Sequence, residues 1–169
     1  MEITRIETFL PYYRNIRNRT LRVAECIPRD RFDWSYRDDK FSFADILRHL
    51  GAIERYMFAE NVLGRPSRYP GHGEHLADGP DAVMSFLGRM HEESIEIFSS
   101  LDDSRLAEKC VTPAGIPITT WKWLRAMVEH EIHHRGQIYL YLGMLGLPTP
   151  PLYGLTSEQV YERSEHDPA

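Results

Sequence analysis

The chain has 169 residues, of which 42% are hydrophobic, a length and composition typical of one packed domain rather than a disordered chain. Its formal net charge of -5 lacks the basic excess that nucleic-acid binding usually requires, so a DNA-binding role is disfavoured. No stretch approaches the ~20 apolar residues of a membrane span, and the charged first ten residues are unlike a signal peptide. Cys26 and Cys110 form no CxxC pair. We therefore expect a reduced, cytoplasmic protein.

Apolar residues at helical spacing predict a first long helix that ends near Ile27, before Pro28. Pro11 lies within it and predicts either a kink or a separate first turn. Ser42 and Asp45 have the spacing of a capping box, which predicts the start of a second helix. The second helix is expected from about Ser42 to Val62.

The rest of the chain predicts two further long helices and a short final one. A loop without regular structure is expected from Gly64 to Pro80, and a short hairpin or an extended crossing from Lys109 to Ile118. The remaining helices are expected at about Pro80–Ser100, from Thr119 or Thr120 to Leu145, and from Thr156 or Ser157 to Arg163. These elements predict an all-α four-helix bundle with long crossing loops, formed by a single domain of residues 1–169.

The fourth helix has two histidines in its apolar stripe. At 100° per residue, the stripe comprises Trp123, Met127, His130, His134, Ile138, Tyr141 and Leu145. Buried imidazoles need partners for their ring nitrogens, and residues i and i+4 can converge on one ion. A metal shared by His130 and His134 is therefore favoured. The alternative is that each histidine makes a hydrogen bond to a facing helix.

A third metal ligand would have to come from another helix, and His49 is the candidate. It lies at the edge of the apolar stripe of the second helix, where its ring can face the core. Without His130 and His134, a partly buried histidine at a helix seam would be an equally good interpretation. Their presence favours the metal.

The other histidines are expected to have lesser roles. His72 and His75 form an HxxH pair in a loop, a spacing that binds metal weakly and is more often solvated. His133 is expected at the surface or beside the ligands. His91 and His166 have no evident partner in the sequence and are expected at the surface.

Residues 130–134 also match HExxH, the zinc-peptidase motif in which Glu131 would be the general base. The match is short and weakly specific. The third histidine of a metzincin is missing, and although Glu158 could serve as the downstream Glu of a gluzincin, no sheet that would hold a peptide is apparent. A peptidase is the minor interpretation.

With His49 on the second helix and HEIHHRGQ at residues 130–137, the chain resembles the DinB/YfiT-like superfamily of four-helix-bundle metalloproteins. The resemblance extends over nearly the whole chain. It includes residues 33–43, the approach from Gly115 to Thr120, and the closing segment from Pro150 to Gly154.

The resemblance implies a three-histidine site, formed here by His49, His130 and His134, with open positions filled by water. Zinc or nickel is the expected ion, with iron or manganese as alternatives. The resemblance also implies a homodimer. Characterised relatives join bacillithiol or mycothiol to electrophiles, or use a thiol to isomerise maleylpyruvate.

Three neutral imidazoles leave the charge of the ion uncompensated and a position free, as in a catalytic site. A thiol bound there would ionise and become nucleophilic. The leading hypothesis is therefore metal-dependent transfer of a small thiol to an electrophile. A metal-dependent hydrolase and a non-catalytic metal-binding or interaction protein stay as alternatives. Gln137 could orient a ligand or substrate, and Tyr56 and Tyr141 could line the pocket.

Overall fold

The computed structural model describes residues 2–165 and confirms the predicted all-α fold. Four long helical runs form a bundle, with a small antiparallel hairpin between the third and the fourth. The α-helices are α1 Ile6–Ala24, α2 Phe43–Ile53, α3 Ala59–Val62, α4 Pro80–Ser99, α5 Asp103–Ala107, α6 Thr120–Met144 and α7 Ser157–Glu165, and the strands are β1 Lys109–Val111 and β2 Pro117–Thr119. Short 3-10 helices lie at Arg29–Arg31 and Glu74–Leu76, and the second corrects the expectation that the segment from Gly64 to Pro80 lacks regular structure. His166 lies outside the described residues. No described helix has the length and apolar character needed to cross a membrane.

The second predicted helix is present but is not uniform. A π-helical segment, Glu54–Phe58, joins α2 to α3, so the run continues as far as Val62. The capping box at its start is formed as predicted: Asp45 N–H donates to Ser42 Oγ, and Ser42 N–H donates to Asp45 Oδ2 at 3.0 Å. Single π turns occur often at functional sites, and this one begins five residues after His49.

The first helix runs through Pro11 without interruption and ends at Ala24, three residues earlier than expected. A separate first turn is therefore absent. Pro11 lies in the second turn of the helix, where its missing N–H removes one backbone hydrogen bond. An amide at the start of the helix has its acceptor far along the chain, because Ile6 N–H donates to Asp103 Oδ1 of α5 at 2.8 Å. The sequence did not indicate α5.

The α2 and α4 helices pack closely along one side of the bundle. Gly51 makes this approach possible, since a Cβ at this position would lie 3.1 Å from Phe86 Cε1 and 3.4 Å from Met90 Cβ. On the other side α1 packs against α6. The predicted hairpin is formed, with Cys110 of β1 opposite Ile118 of β2, and it leads directly into α6.

Polar residues divide the core of the bundle into two main apolar clusters. One cluster includes Phe9, Phe98 and Leu124, and the other includes Phe43 and Leu142. Between them, the four long helical runs contribute a buried polar layer formed by Arg17, Thr20, Glu54, His91, Ser94, Glu131 and Arg135. Buried charges are costly unless they are paired, so this layer is an unusual feature of the fold. This polar layer, in the middle of the bundle, lies next to the three predicted metal ligands.

Candidate metal centre

The structure brings together the three histidines that the sequence singled out. One ring nitrogen from each of His49, His130 and His134 lies within 4.8 Å of the other two. The ring centroids of His130 and His134 are 4.5 Å apart, and the ring of His49 lies 5.0 Å from His130 and 4.8 Å from His134. Among the side chains that the structure describes, no other group of three or more His, Cys, Asp or Glu residues has this arrangement. The geometry suits one small cation.

Hydrogen bonds on the outer side of two rings set their orientation. His49 Nδ1 lies 2.6 Å from the Tyr69 hydroxyl, and His134 Nδ1 lies 3.0 Å from Gln137 Oε1. Gln137 Nε2 donates to the Tyr141 hydroxyl at 2.9 Å, so its Oε1 is the atom that accepts from His134. An imidazole that donates through Nδ1 carries its free lone pair on Nε2. His134 therefore has Nε2 available as a metal ligand, and so does His49 when its Nδ1 donates to the Tyr69 oxygen.

The inner nitrogens of His49 and His130 face each other directly. Their Nε2 atoms are 3.0 Å apart, a distance at which two bare lone pairs would repel. Without metal, one of the two must carry a proton that it shares with the other. If Nδ1 of His49 donates its proton to the Tyr69 oxygen, His130 is the ring that holds the shared proton. A metal ion held by both nitrogens would replace it.

The site keeps its imidazoles neutral. Burial and the neighbouring His134 and His130 rings lower the pKa of His49 to about 3. Burial together with His134 and His133 lowers the pKa of His130 to about 4, and burial also lowers the pKa of His134. Histidine binds metal only when it is deprotonated, so the folded protein presents the ligands in the form that a cation requires.

These shifts predict how the stability of the metal-free protein depends on pH. A histidine in the unfolded chain has a pKa near 6.5, so between about pH 4 and 6.5 the unfolded state binds more protons than the folded state. The free energy of unfolding should therefore be level above pH 6.5 and should fall as the pH drops below it. Urea unfolding at pH 5, 6 and 7 measures this slope. His130→Gln should reduce the slope, and an unchanged slope in that variant would contradict the assignment.

The structure corrects the predicted centre of the apolar stripe on α6. His130 and His134 are only half-buried, although Met127, Ile138 and Tyr141 of the predicted stripe are buried. The adjoining row of Leu124, Val128, Glu131, Arg135 and Leu142 is buried as well. Half-burial leaves room for a ligand on the ion. The stripe predicted that apolar side chains would enclose the two rings, and their half-burial shows that they are not enclosed.

Glu131, the base of the minor peptidase interpretation, belongs to the buried polar layer. Its Oε1 accepts a hydrogen bond from Thr20 Oγ1 at 2.7 Å, and its Oε2 lies 3.2 Å from Arg17 Nη2. Its side chain is 2% exposed. A carboxylate held in this way by α1 is not available to activate water at the histidines. The structure therefore does not support Glu131 as a general base.

His91 was expected at the surface, and this expectation is wrong. The side chain is buried in the polar layer, where Nδ1 lies 2.9 Å from Glu54 Oε1. The sequence pattern placed it beside the apolar stripe of α4, but the π-helical segment brings Glu54 against it. His133 is exposed, in agreement with the surface alternative. His75 is exposed too, while His72 is half-buried with its ring centroid 4.0 Å from that of Phe41.

Several residues around the centre were not predicted from the sequence. Tyr69 and Phe41 lie on loops, and the Phe41 ring contacts the His49 ring edge-on at 5.5 Å between centroids. Nothing in the local sequence marks either residue, because their proximity to the site depends on how the loops cross the bundle. Gln137 was proposed to orient a ligand, and its hydrogen bond to His134 agrees with that. Tyr56 instead packs in a small cluster with Ala52, Phe86 and Met90.

Comparison with known proteins identifies the family. Residues 12–138 match the profile of the DinB superfamily. The uncharacterized protein YjoA of Bacillus subtilis strain 168 is 25% identical over 140 residues, which cover 81% of this chain and 88% of YjoA. Two crystal structures share the fold. A DinB-like protein from Bacillus cereus ATCC 10987 is 16% identical, with a TM-score of 0.73, and the match covers 89% of this chain and 99% of that one. The DinB-like YjoA of B. subtilis is 20% identical, with a TM-score of 0.68, and the match covers 87% of this chain and 97% of YjoA. The chain belongs to the DinB superfamily.

Proposed function

We propose that this protein is a metal-dependent enzyme that transfers a low-molecular-weight thiol to a small electrophile. His49, His130 and His134 would hold the divalent ion. The observation that carries the proposal is the convergence of three neutral imidazole nitrogens with no carboxylate among them. Such a donor set fits zinc or nickel, with iron or manganese as alternatives. It is typical of catalytic sites, in which a position stays open for a substrate.

A divalent ion in this site would stabilise a thiolate at neutral pH, because its charge is not cancelled by the protein ligands. The thiolate sulfur would form a bond to the electrophilic carbon, the leaving group would depart with its electron pair, and the thiol proton would pass to solvent. The residues of the chain support this chemistry by position. Tyr69 and Gln137 hold two of the three rings, and Phe41 packs edge-on against the ring of His49.

An activity panel tests the proposal. Protein purified without an affinity tag is analysed for its metal content, reloaded with that metal, and mixed with bacillithiol, mycothiol or glutathione and a chloroarene electrophile. We expect the thiol to be consumed by the wild type and not by His134→Ala. His133→Ala is the matched control, since it removes the adjacent exposed histidine, and it should keep wild-type turnover.

Two results would count against the proposal. Equal turnover by His134→Ala would show that the site is not needed for the reaction. Hydrolysis of ester or amide substrates, with no consumption of thiol, would favour a metal-dependent hydrolase. The homodimer, the thiol partner and the cytoplasmic location belong to the same set of predictions and are open to direct measurement.

A further inference from the structure

The segment of residues 64–79, which we call the strap, crosses the bundle beside the histidine centre. Its residue Tyr69 places a hydroxyl 2.6 Å from His49 Nδ1. Three residues later, the His72 ring packs on Phe41, the same side chain that contacts the edge of the His49 ring. The strap therefore reaches the metal site through His49, the ligand contributed by α2.

Hydrogen bonds fix the strap on both sides of Tyr69. Before it, Arg68 N–H donates to Tyr56 O at 2.8 Å, and Arg68 Nη2 donates to Glu60 Oε1 at 2.8 Å. After it, the side chain of Arg48 donates to two backbone carbonyls of the strap, through Nε to His72 O at 2.9 Å and through Nη1 to Ala77 O at 2.8 Å. These contacts leave Tyr69 little freedom to move away from His49.

Arg48 is suited to this task because it is buried and already oriented. It is 2% exposed, and its Nη2 donates to Asp45 Oδ1 at 2.9 Å, one turn earlier in α2. A planar guanidinium with five donors can bind three acceptors at once in a fixed geometry, which a lysine cannot do. Arg48 also precedes His49 directly. Arg48, which holds the strap, and His49, which the strap contacts, are therefore neighbours on one rigid helix.

We propose that Tyr69 and Arg48 are positioning residues for the metal centre, with Tyr69 fixing the His49 ring and Arg48 holding Tyr69 in place through the strap. The inference rests on the metal-binding part of the proposed function. The Tyr69 oxygen accepts the Nδ1 proton of His49, which leaves the lone pair on Nε2, the nitrogen that faces His130. Outer partners of this kind are worth about 10–100-fold in metal affinity.

The first test is Zn²⁺ affinity, measured by competition with a chromophoric chelator. Tyr69→Phe keeps the ring and its packing and removes only the hydroxyl, so we expect it to fold and to bind Zn²⁺ about 10-fold more weakly. Arg48→Met should weaken binding by a similar factor, and Arg48→Lys should recover part of the loss. Arg65→Met is the matched control, because Arg65 lies on the strap but its side chain is 63% exposed and pairs with Glu60, away from His49 and Arg48. It should bind like the wild type.

A double variant tests whether Arg48 affects metal binding through Tyr69. If Arg48 acts through Tyr69, then Tyr69→Phe combined with Arg48→Met should bind Zn²⁺ no more weakly than the weaker single variant. Losses that multiply would overturn the link between the two residues. Equal affinity of Tyr69→Phe and the wild type would overturn the role of Tyr69.

A second readout needs no metal. Long-range ¹H–¹⁵N NMR of the metal-free protein reports which nitrogen of His49 carries the proton. We expect the Nδ1–H form in the wild type and a mixture of both forms in Tyr69→Phe. An unchanged tautomer would overturn the inference even if the protein binds Zn²⁺. Failure of the wild type to bind any divalent ion, with the tautomer change intact, would instead contradict the proposed function.

Discussion

Replacement of His130 by alanine is expected to abolish tight binding of a divalent ion. His130 lies close to both of the other rings in the site: its Nε2 is 3.0 Å from that of His49, and its ring centroid is 4.5 Å from that of His134. The substitution removes a metal ligand itself, so the loss of affinity should exceed the factor of about 10–100 that a change in an outer partner costs. Competition titration with Zn²⁺ and with Ni²⁺, followed by elemental analysis, measures the loss.

The neighbouring residue provides the control for that experiment. His133→Ala changes an exposed histidine on the same helix, so it should retain the wild-type affinity for metal. Thermal unfolding adds a second comparison, since a bound ion stabilises the folded state to a degree that rises with its affinity. The melting temperature of the wild type should rise when Zn²⁺ is added, and that of His130→Ala should not. Equal binding by both variants would place the metal elsewhere.

Arg17→Met is expected to cause a severe loss of stability. Arg17 is buried between two carboxylates, in contact with Glu54 and with its Nη2 3.2 Å from Glu131 Oε2. Burial by itself would lower the pKa of Arg17, but Glu131 and Glu54 outweigh it and raise the pKa. Removal of the guanidinium would leave two buried carboxylates without their cationic partner. The loss of one partner from a buried ion pair typically costs about 3–5 kcal/mol of stability. Urea unfolding at pH 7 measures the loss.

An exposed arginine on the same helix provides the comparison. Arg14 pairs with Glu92, but the two side chains are 44% and 58% exposed, so Arg14→Met should cost about 0–1 kcal/mol. The triple variant Arg17→Met, Glu54→Gln and Glu131→Gln removes the two buried negative charges together with the arginine. It should recover part of the stability that Arg17→Met loses. A loss below about 1 kcal/mol for Arg17→Met alone would show that the cluster is not the charged unit that its geometry indicates.

Much of the helical architecture could be predicted because its signals are local. The capping box at Ser42 and Asp45 marks the start of α2, and Pro80 lies at the first position of α4. The predicted ends of α4 and α6 each agree with the structure within one residue. Backbone hydrogen bonding at helix ends depends on residues within a few positions, so the sequence pattern is sufficient there.

The assignment of buried faces was less accurate. On α6, the row that contains His130 and His134 and the buried row that contains Glu131 and Arg135 lie side by side, and the charged residues of the second row made it resemble a surface. Arg48 and His91 were missed in the same way. Hydrophobic periodicity assumes that charged residues are exposed, and it fails wherever buried charges are paired with one another.

The sequence by itself determined the four-helix framework, the pairing of His130 and His134 on one face of a helix, and the candidacy of His49. The first two follow from rules that act along a single helix, where residues one turn apart must lie together, whereas the candidacy of His49 depends more on the family resemblance. Only the tertiary structure decided that the three rings meet, that Tyr69 and Gln137 orient two of them, and that Glu131 binds Arg17 instead of serving the site. Those contacts join residues 20 to more than 110 positions apart, apart from the one between His134 and Gln137. The packing of the helices and the course of the strap set them, and no local pattern encodes that packing.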